Sequence, residues 1–261
     1  MFTFSKRTLS HVMSLLCLGA LTFDASAAEI QQKGTHLKIQ FDKDVAELIE
    51  IEGSGLGSMS ISVDSGVAIE FTNVRNLSIK GGDQDDILVI ADSVEIEGNL
   101  TLKSGAGEDE MYVSGTYGKN VKVNLGDGND TYQGDSSGAM HVGGSYSVKC
   151  GKGADSLHWD QDISVDKSMS LNEGAGRVTG PGNNHDLIMH NDGLTGIYSI
   201  GKKLSIKLAK KRSQDVELQN VSAAQLVIRG GKETNTVDLS GGGNSFGKIK
   251  LKKIETLLTT P

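Results

Sequence analysis

Four aspartates recur at one place in a repeated turn, and their spacing gives the chain a candidate chemistry. Asp130 stands in Gly126-Asp127-Gly128-Asn129-Asp130-Thr131-Tyr132, a Gly-x-Gly-x-Asp-x-apolar turn. Gly105-Ala106-Gly107-Glu108-Asp109-Glu110-Met111 and Gly151-Lys152-Gly153-Ala154-Asp155-Ser156-Leu157 repeat it. Gly82-Asp83-Gln84-Asp85-Asp86-Ile87-Leu88 keeps the first glycine, the aspartate and the apolar residue, and Gly174-Ala175-Gly176 keeps only the paired glycines. If the turns stack at the spacing of neighbouring strands, about 4.8 Å, then Asp86, Asp109, Asp130 and Asp155 form a ladder of like charge. At an effective dielectric near 20 each unneutralised neighbouring pair costs about 3 kcal/mol. A calcium ion between coils would offset that, drawing carboxylates and turn carbonyls toward its usual 6–8 oxygens. Asp83, Asp85, Glu108 and Asp127 add acids beside the ladder, so these eight residues are the candidate calcium ligands. The alternative is metal-free turn chemistry. Gly supplies positive φ and Asp caps its own backbone, while water and salt screen the charges of offset coils.

The elements that must position these turns are short strands. The leading glycines at 82, 105, 126, 151 and 174 are 23, 21, 25 and 23 residues apart, and a turn recurring at 20–50 residues marks a solenoid, a propeller or an array. Just before the turns lie Leu77-Ser78-Ile79, Leu100-Thr101-Leu102, Val121-Lys122-Val123, Tyr146-Ser147-Val148 and Met169-Ser170-Leu171. Their alternation is that of a strand buried on one face. After the turns come second apolar patches: Ile87 to Ile90, Met111 to Val113, Thr131-Tyr132 and Leu157 to Trp159. The return is looser, with a third strand only in places, such as Val94-Glu95-Ile96.

The series extends beyond the glycine turns. Downstream are Leu204-Ser205-Ile206, Leu226-Val227-Ile228 and Ile249-Lys250-Leu251; upstream are Leu37-Lys38-Ile39 and Ile61-Ser62-Val63. Together they predict about ten coils of about 22 residues. The 35 residues from Leu171 to Ile206 exceed one coil, and Gly180-Pro181-Gly182-Asn183-Asn184 lies between. An inserted loop or irregular coil is expected near 179–200. No segment has convincing helical periodicity, a propeller blade needs twice this period, and sandwiches lack a regularly repeated turn. The expected fold is all-β: a right-handed parallel β-helix, or β-solenoid, forming a single domain over 28–261.

The Gly-x-Gly-x-Asp turns between Gly82 and Leu157 resemble the calcium-binding nonapeptides of RTX proteins, which form parallel β-rolls. That resemblance implies calcium and folding after export. This chain departs from the family pattern, with one motif per coil rather than two. Ser104, Leu125 and Cys150 also stand where the family has its first glycine. In layout the chain is similar to the long β-helices of exported adhesins and autotransporter passengers.

Composition agrees with thin coils. The chain has 34 Gly, 2 Pro and 37% hydrophobic residues among 261. A solenoid tolerates little apolar content because each coil buries only a stripe against its neighbours. Lys6 and Arg7, the apolar run Val12 to Phe23 and Ala25-Ser26-Ala27 read as a secretory signal peptide over 1–27, cleaved near Ala27. That run is too short for a membrane span. The protein is expected to be secreted, periplasmic or at the cell surface. Cys17 would leave with the leader, and Cys150 reads as a small buried residue.

Charge is uneven. From 60 to 176 there are 19 acidic and 8 basic residues, whereas from 201 to 261 there are 5 and 12. The basic end is either a surface for an anionic polymer or membrane, or a solvated cap whose edge lysines block aggregation. Nucleic acid is a poor partner for a net-acidic exported chain. Catalysis has little to stand on: His158-Trp159-Asp160 and His185-Asp186 are neighbours whose adjacent side chains point to opposite faces. Cofactor-binding loops and Cys/His zinc spacing are missing. The expected role is a non-enzymatic structural or adhesive scaffold for a surface ligand, protein or polysaccharide. The alternatives are a calcium-dependent module and, third, a polysaccharide-acting enzyme.

Overall fold

One coil shows how the chain is built. Strand Leu100–Lys103 lies on a first face, turns through the glycines, and continues as Glu110–Val113 on a second face. It returns as Gly115–Tyr117 on a third face before Val121–Asn124 starts the next coil. The computed structural model describes residues 21–25, 28–134, 138–159, 161–174, 177–179, 187–189, 197–209 and 214–259. It is all-β among them, a parallel β-solenoid of about 7 turns with about 23 residues per turn.

The alternation read from sequence is what stacks. On the first face Leu37, Leu77, Leu100, Val121, Tyr146, Met169, Leu204, Leu226 and Ile249 pair in parallel, each on the next. Their partners two residues on, from Ile39 to Leu251, follow the same register. A one-residue slip anywhere would turn the apolar stripe to solvent, so packing fixes the register. All but the last rung are buried, in one continuous core running from Ala28 to Leu239.

Two expectations are corrected, the first being coil number. Ile61-Ser62-Val63 is not a rung: Ser58–Val63 pairs antiparallel with Leu48–Gly55 and with Ile69–Phe71. Among the described residues the first face therefore has nine parallel strands, and the stack makes about 7 turns where about ten coils were expected. Apolar alternation alone does not distinguish a rung from a meander strand, and Gly53 to Gly57 marks the tight reversal that makes the difference. Ala28–Lys33 likewise runs antiparallel to His36–Gln40, and Leu21–Ala25 antiparallel to Ala28–Lys33. Antiparallel meanders thus extend the first and second sheets at the N-terminal end of the stack.

The second correction concerns the return. It carries a regular third row, comprising Glu95–Ile96, Gly115–Tyr117, Ala139–Val142, Asp162–Val165, the first part of Tyr198–Lys207, the first part of Val221–Arg229, and Ser245–Phe246. These strands are short and mix Gly, Ser and Thr with single apolar residues, so their period is faint in sequence.

Most of the range 179–200, where an inserted loop or irregular coil is expected, lies outside the described residues, but the pairing across it is seen. Met169 pairs with Leu204 across 35 residues without breaking the first face. The second face does break: one sheet ends at Arg177–Thr179, and another begins at Leu187–Met189 and runs through Gln214–Leu218, Asn235–Asp238 and Thr256–Leu258. Gly180 to Asp186 lie outside the described residues.

Candidate functional site

The four motif aspartates do form a ladder, but it faces inward. Asp86, Asp109, Asp130 and Asp155 are 3%, 1%, 1% and 0% exposed. Asp86, Asp109 and Asp130 sit just before a second-face strand and Asp155 is the second residue of Ala154–His158, where the register Ile87↔Glu110↔Thr131↔Ser156 sets one above another. The bonds run along the stack. Oδ1 of Asp109 accepts the backbone N–H of Asp86 at 2.9 Å, Oδ1 of Asp130 that of Asp109 at 3.0 Å, and Oδ1 of Asp155 that of Asp130 at 3.2 Å. Within its own turn, Asp86 Oδ2 accepts from Gly82 N at 2.8 Å, and Asp155 Oδ2 from Gly151 N at 3.3 Å. A strand entering a tight turn leaves backbone N–H groups without sheet partners, and a buried one must find an acceptor. The aspartates are those acceptors.

Sequence reasoning missed the first rung. Glu47 aligns with Asp86 through Leu48↔Ile87, donates its N–H to Asp86 Oδ1 at 3.2 Å, and is 3% exposed. Its Oε2 accepts the Asp42 N–H at 2.6 Å, and its Oε1 has no partner. The available signal was Glu47-Leu48-Ile49-Glu50-Ile51 beside Asp86-Ile87-Leu88-Val89-Ile90; the inserted meander hid it by stretching the step to 39 residues.

Five carboxyls stack here, and burial raises all five toward the protonated form. Burial pushes Glu47 up to about 7 and Asp86 up to about 6, against hydrogen bonds that lower both; neighbouring carboxylates add to the rise. Burial also raises Asp130 to about 7, and raises Asp109 and Asp155. Neighbouring carboxylates, Asp109 and then Asp155, add to the rise at Asp130, whose Oδ2 has no hydrogen-bond partner. The ladder titrates as a coupled set.

The outer acids go elsewhere. Asp83, Asp85, Glu108 and Asp127 are exposed on the turns. Asp85 Oδ1 accepts the Glu108 N–H at 2.7 Å, Glu108 Oε1 accepts from Asn129 Nδ2 at 2.8 Å, and Asp127 pairs with Lys152. The turns stack through bridges from Ala106 to Asp127 and from Asp127 to Lys152. Inner and outer acids are thus separated by the turn backbone. Among the described residues no three His, Cys, Asp or Glu side chains are grouped to hold a metal ion. Each inner aspartate accepts at least one backbone N–H, while Asp109 Oδ2 and Asp130 Oδ2 have no hydrogen-bond partner.

The remaining candidates are placed as follows. Cys150 is fully buried, and burial raises its thiol well above the usual value, which keeps it protonated. His158 lies on the second face beside buried Trp159; Asp160, His185 and Asp186 lie outside the described residues. Among the described residues no helix is long and apolar enough to cross a membrane.

Two further ladders escaped the sequence reading. At the corner before the first face, Asn76 Oδ1 accepts both the backbone N–H and Nδ2 of Asn99, each at 3.0 Å. Asn99 Oδ1 accepts the N–H and Nδ2 of Asn120 at 3.2 and 3.1 Å. Inside, Tyr117, Tyr132, Tyr146, Trp159 and Tyr198 are all fully buried. Tyr146 donates to the Tyr132 hydroxyl at 2.7 Å and Tyr117 to the Ser114 carbonyl at 2.6 Å. Comparison with protein-family models, with curated proteins and with solved structures finds no match.

Proposed function

We propose that this protein is a non-enzymatic, exported scaffold that presents the outer faces of a rigid β-solenoid to a partner at or beyond the cell surface. The observation that carries this reading is the unbroken first face, whose nine strands keep one register from Leu37 to Ile249. Such a rod repeats its outward positions at each coil, and solenoids use extended repeated surfaces for binding. The polar groups deepest in the molecule support the same reading. Each aspartate of the acidic ladder accepts a backbone N–H, the half-buried asparagines bond to one another, and Tyr117 and Tyr146 donate to groups of the chain, the arrangement expected of groups that hold the stack together.

Export rests on the leader at 1–27. Cleavage near Ala27 would remove the strand Leu21–Ala25 and leave Ala28–Lys33 as the outer strand of its hairpin. The test is to express the full chain, fractionate the cells and sequence the N-terminus of the product. A mature form beginning near Ala28 outside the inner compartment is expected. An uncleaved chain retained inside would overturn the reading, as would turnover of a polysaccharide by the purified protein.

A further inference from the structure

The charges of this molecule are sorted by face. On each of the nine first-face strands two positions alternate with the buried ones and point outward: the series that pairs Lys38 through to Lys250, and the series that pairs Gln40 through to Lys252. The second series holds Lys80, Lys103, Lys149, Lys207, Arg229 and Lys252, all exposed. The first holds Lys38, Lys122 and Lys250, also exposed. Nine of the eighteen positions are therefore cationic and none is acidic, in a chain of net charge −7. Eight of the other nine are Ser, Thr, Asn or Gln; Val227 is the ninth. Beside the rungs, the antiparallel strand Ala28–Lys33 carries Glu29.

Neither ordinary use of surface lysine accounts for this pattern. Lysine protects an edge strand from pairing with another chain, but Lys103, Lys122 and Lys149 lie on strands paired on both sides. Solubility is served by charges of both signs interspersed, and here one sign is missing. The acids gather on the turns instead, where Asp127 takes Lys152, a cation from off the face. Among the described residues none of the nine cations forms an ion pair. Like charges on neighbouring strands destabilise a sheet, so a row of them is retained at a cost to the fold.

We propose that the first face docks a linear acidic polysaccharide, its anionic groups on the lysine columns and its hydroxyls on the amide and hydroxyl side chains between them. The inference rests on the scaffold reading and names its partner. Two observations favour a sugar polymer over an anionic membrane. The face carries no large apolar side chain to enter a bilayer, Val227 being its only outward hydrophobe. It also holds a trough of about 450 Å³, lined by His36, Asn76, Asn99, Thr101, Asn120 and Lys122 with Leu77 as its one apolar residue. Each asparagine amide there has two N–H donors, of which Asn99 and Asn120 commit one to the column. Amides, a hydroxyl and a lysine in a concavity suit a polyhydroxylated anion.

The test is electrophoresis of the purified chain through gels containing polygalacturonate, dextran or no polymer, with phosphatidylcholine–phosphatidylglycerol vesicles and duplex DNA as separate co-sedimentation and gel-shift arms. Retardation by polygalacturonate but not dextran is expected, weakening as salt screens the contact. The triple variant Lys103→Glu, Lys149→Glu, Lys207→Glu should keep the circular dichroism spectrum and weaken binding by about tenfold or more. The pair Lys43→Glu, Lys232→Glu, on turns off the face, should not. If charge reversal prevents folding, the same three positions as Gln serve. Unchanged binding by a folded triple variant, or binding to vesicles or DNA in preference to polygalacturonate, would overturn the proposal. Failure of an exported chain to be retarded sinks this inference alone. Shortening of the bound polymer sinks the scaffold reading and leaves the docking face standing.

Discussion

The backbone N–H of Asp86 donates to Oδ1 of Asp109, 2.9 Å away and one coil on. The same bond joins Asp109 to Asp130 and Asp130 to Asp155. The motif aspartate therefore serves the coil before its own, and its value lies in the oxygen rather than in the charge. This separates two substitutions. Asp130→Asn keeps an amide oxygen for the Asp109 N–H and removes a carboxyl from a crowded stack; it should leave stability at pH 7 within about 1 kcal/mol. Asp130→Ala strands a buried donor and should cost about 1–3 kcal/mol, more if the gap does not close. Urea melts of the two variants check the difference. Equal loss would mean that the ladder needs its charge.

Stability should rise as pH falls from 8 toward 5, the reverse of most carboxylate-rich proteins. Glu47 and Asp130 titrate near 7 and Asp86 near 6 in the folded protein, whereas unfolded carboxyls titrate near 4. A group whose folded pKa is raised binds its proton more tightly when folded. Its favourable contribution is complete below the unfolded value and is lost as pH climbs through the folded one. The window therefore runs from about pH 4 to about pH 8, through the folded values near 6 and 7, with a flat curve above it. Each unit of upward shift corresponds to about 1.4 kcal/mol, and coupling spreads the titration along the ladder. Thermal melts at pH 5, 6, 7 and 8 should show a falling midpoint. A midpoint that rises over this range would mean the ladder is ionised when folded.

Much of this architecture was legible because the first face obeys the strict two-residue period: Leu100-Thr101-Leu102 and its counterparts fall on the observed rungs without a shift. The 35-residue step was legible for the same reason. Ile61 was misassigned because alternation is identical in parallel and antiparallel strands. The third row was faint because Gly115-Thr116-Tyr117 and its neighbours bury few side chains per coil. At the site, the spacing gave the ladder but not its direction. An aspartate after a glycine turn can face out to an ion or in to a backbone N–H, and local sequence does not say which. The sorting of lysines onto one face was invisible until register aligned Lys80, Lys103 and Lys149.

Glycine at the turns is required by contact as well as by conformation. Gly126 has φ +85°, and a Cβ there would stand 2.0 Å from the Gly105 carbonyl oxygen of the coil below. Gly34 has φ +59° with open space around it. Gly34→Ala should cost only the left-handed penalty, about 1–2 kcal/mol. Gly126→Ala adds a backbone clash that stacked coils cannot relax locally, and should cost about 3 kcal/mol or more. Comparable melting of the two variants would refute the close stacking of these turns.

The tyrosine cluster offers a spectroscopic handle. Tyr146 donates to the Tyr132 hydroxyl at 2.7 Å and accepts from Trp159 Nε1 at 3.4 Å. The Tyr132 and Trp159 rings meet edge to face, 6.3 Å between centroids. Tyr132→Phe keeps the ring and leaves the buried Tyr146 hydroxyl without its acceptor, a loss of about 1–3 kcal/mol. Trp159 is the only tryptophan, so a urea melt followed by its fluorescence reports on this part of the stack. An unchanged midpoint would show that the hydroxyl finds another partner.

Calcium is tested by what it would do to the same melt. A site that binds only the folded chain and is filled at 100 times its dissociation constant stabilises by about 2.7 kcal/mol. For a chain of this size that corresponds to a midpoint rise of roughly 5–10 °C. The inner carboxylates accept backbone N–H groups and are raised toward the protonated form by burial, and three of the four outer acids meet Lys152, Asn129 and a neighbouring N–H. Millimolar calcium at pH 7 should therefore leave the midpoint where a chelator leaves it. A rise of several degrees, lost in Asp109→Ala with Asp130→Ala, would mean that the ladder opens, releases its protons and turns carboxylates toward the ion. The pH dependence would then reverse sign in calcium, because an ion that needs carboxylates gains affinity as they ionise.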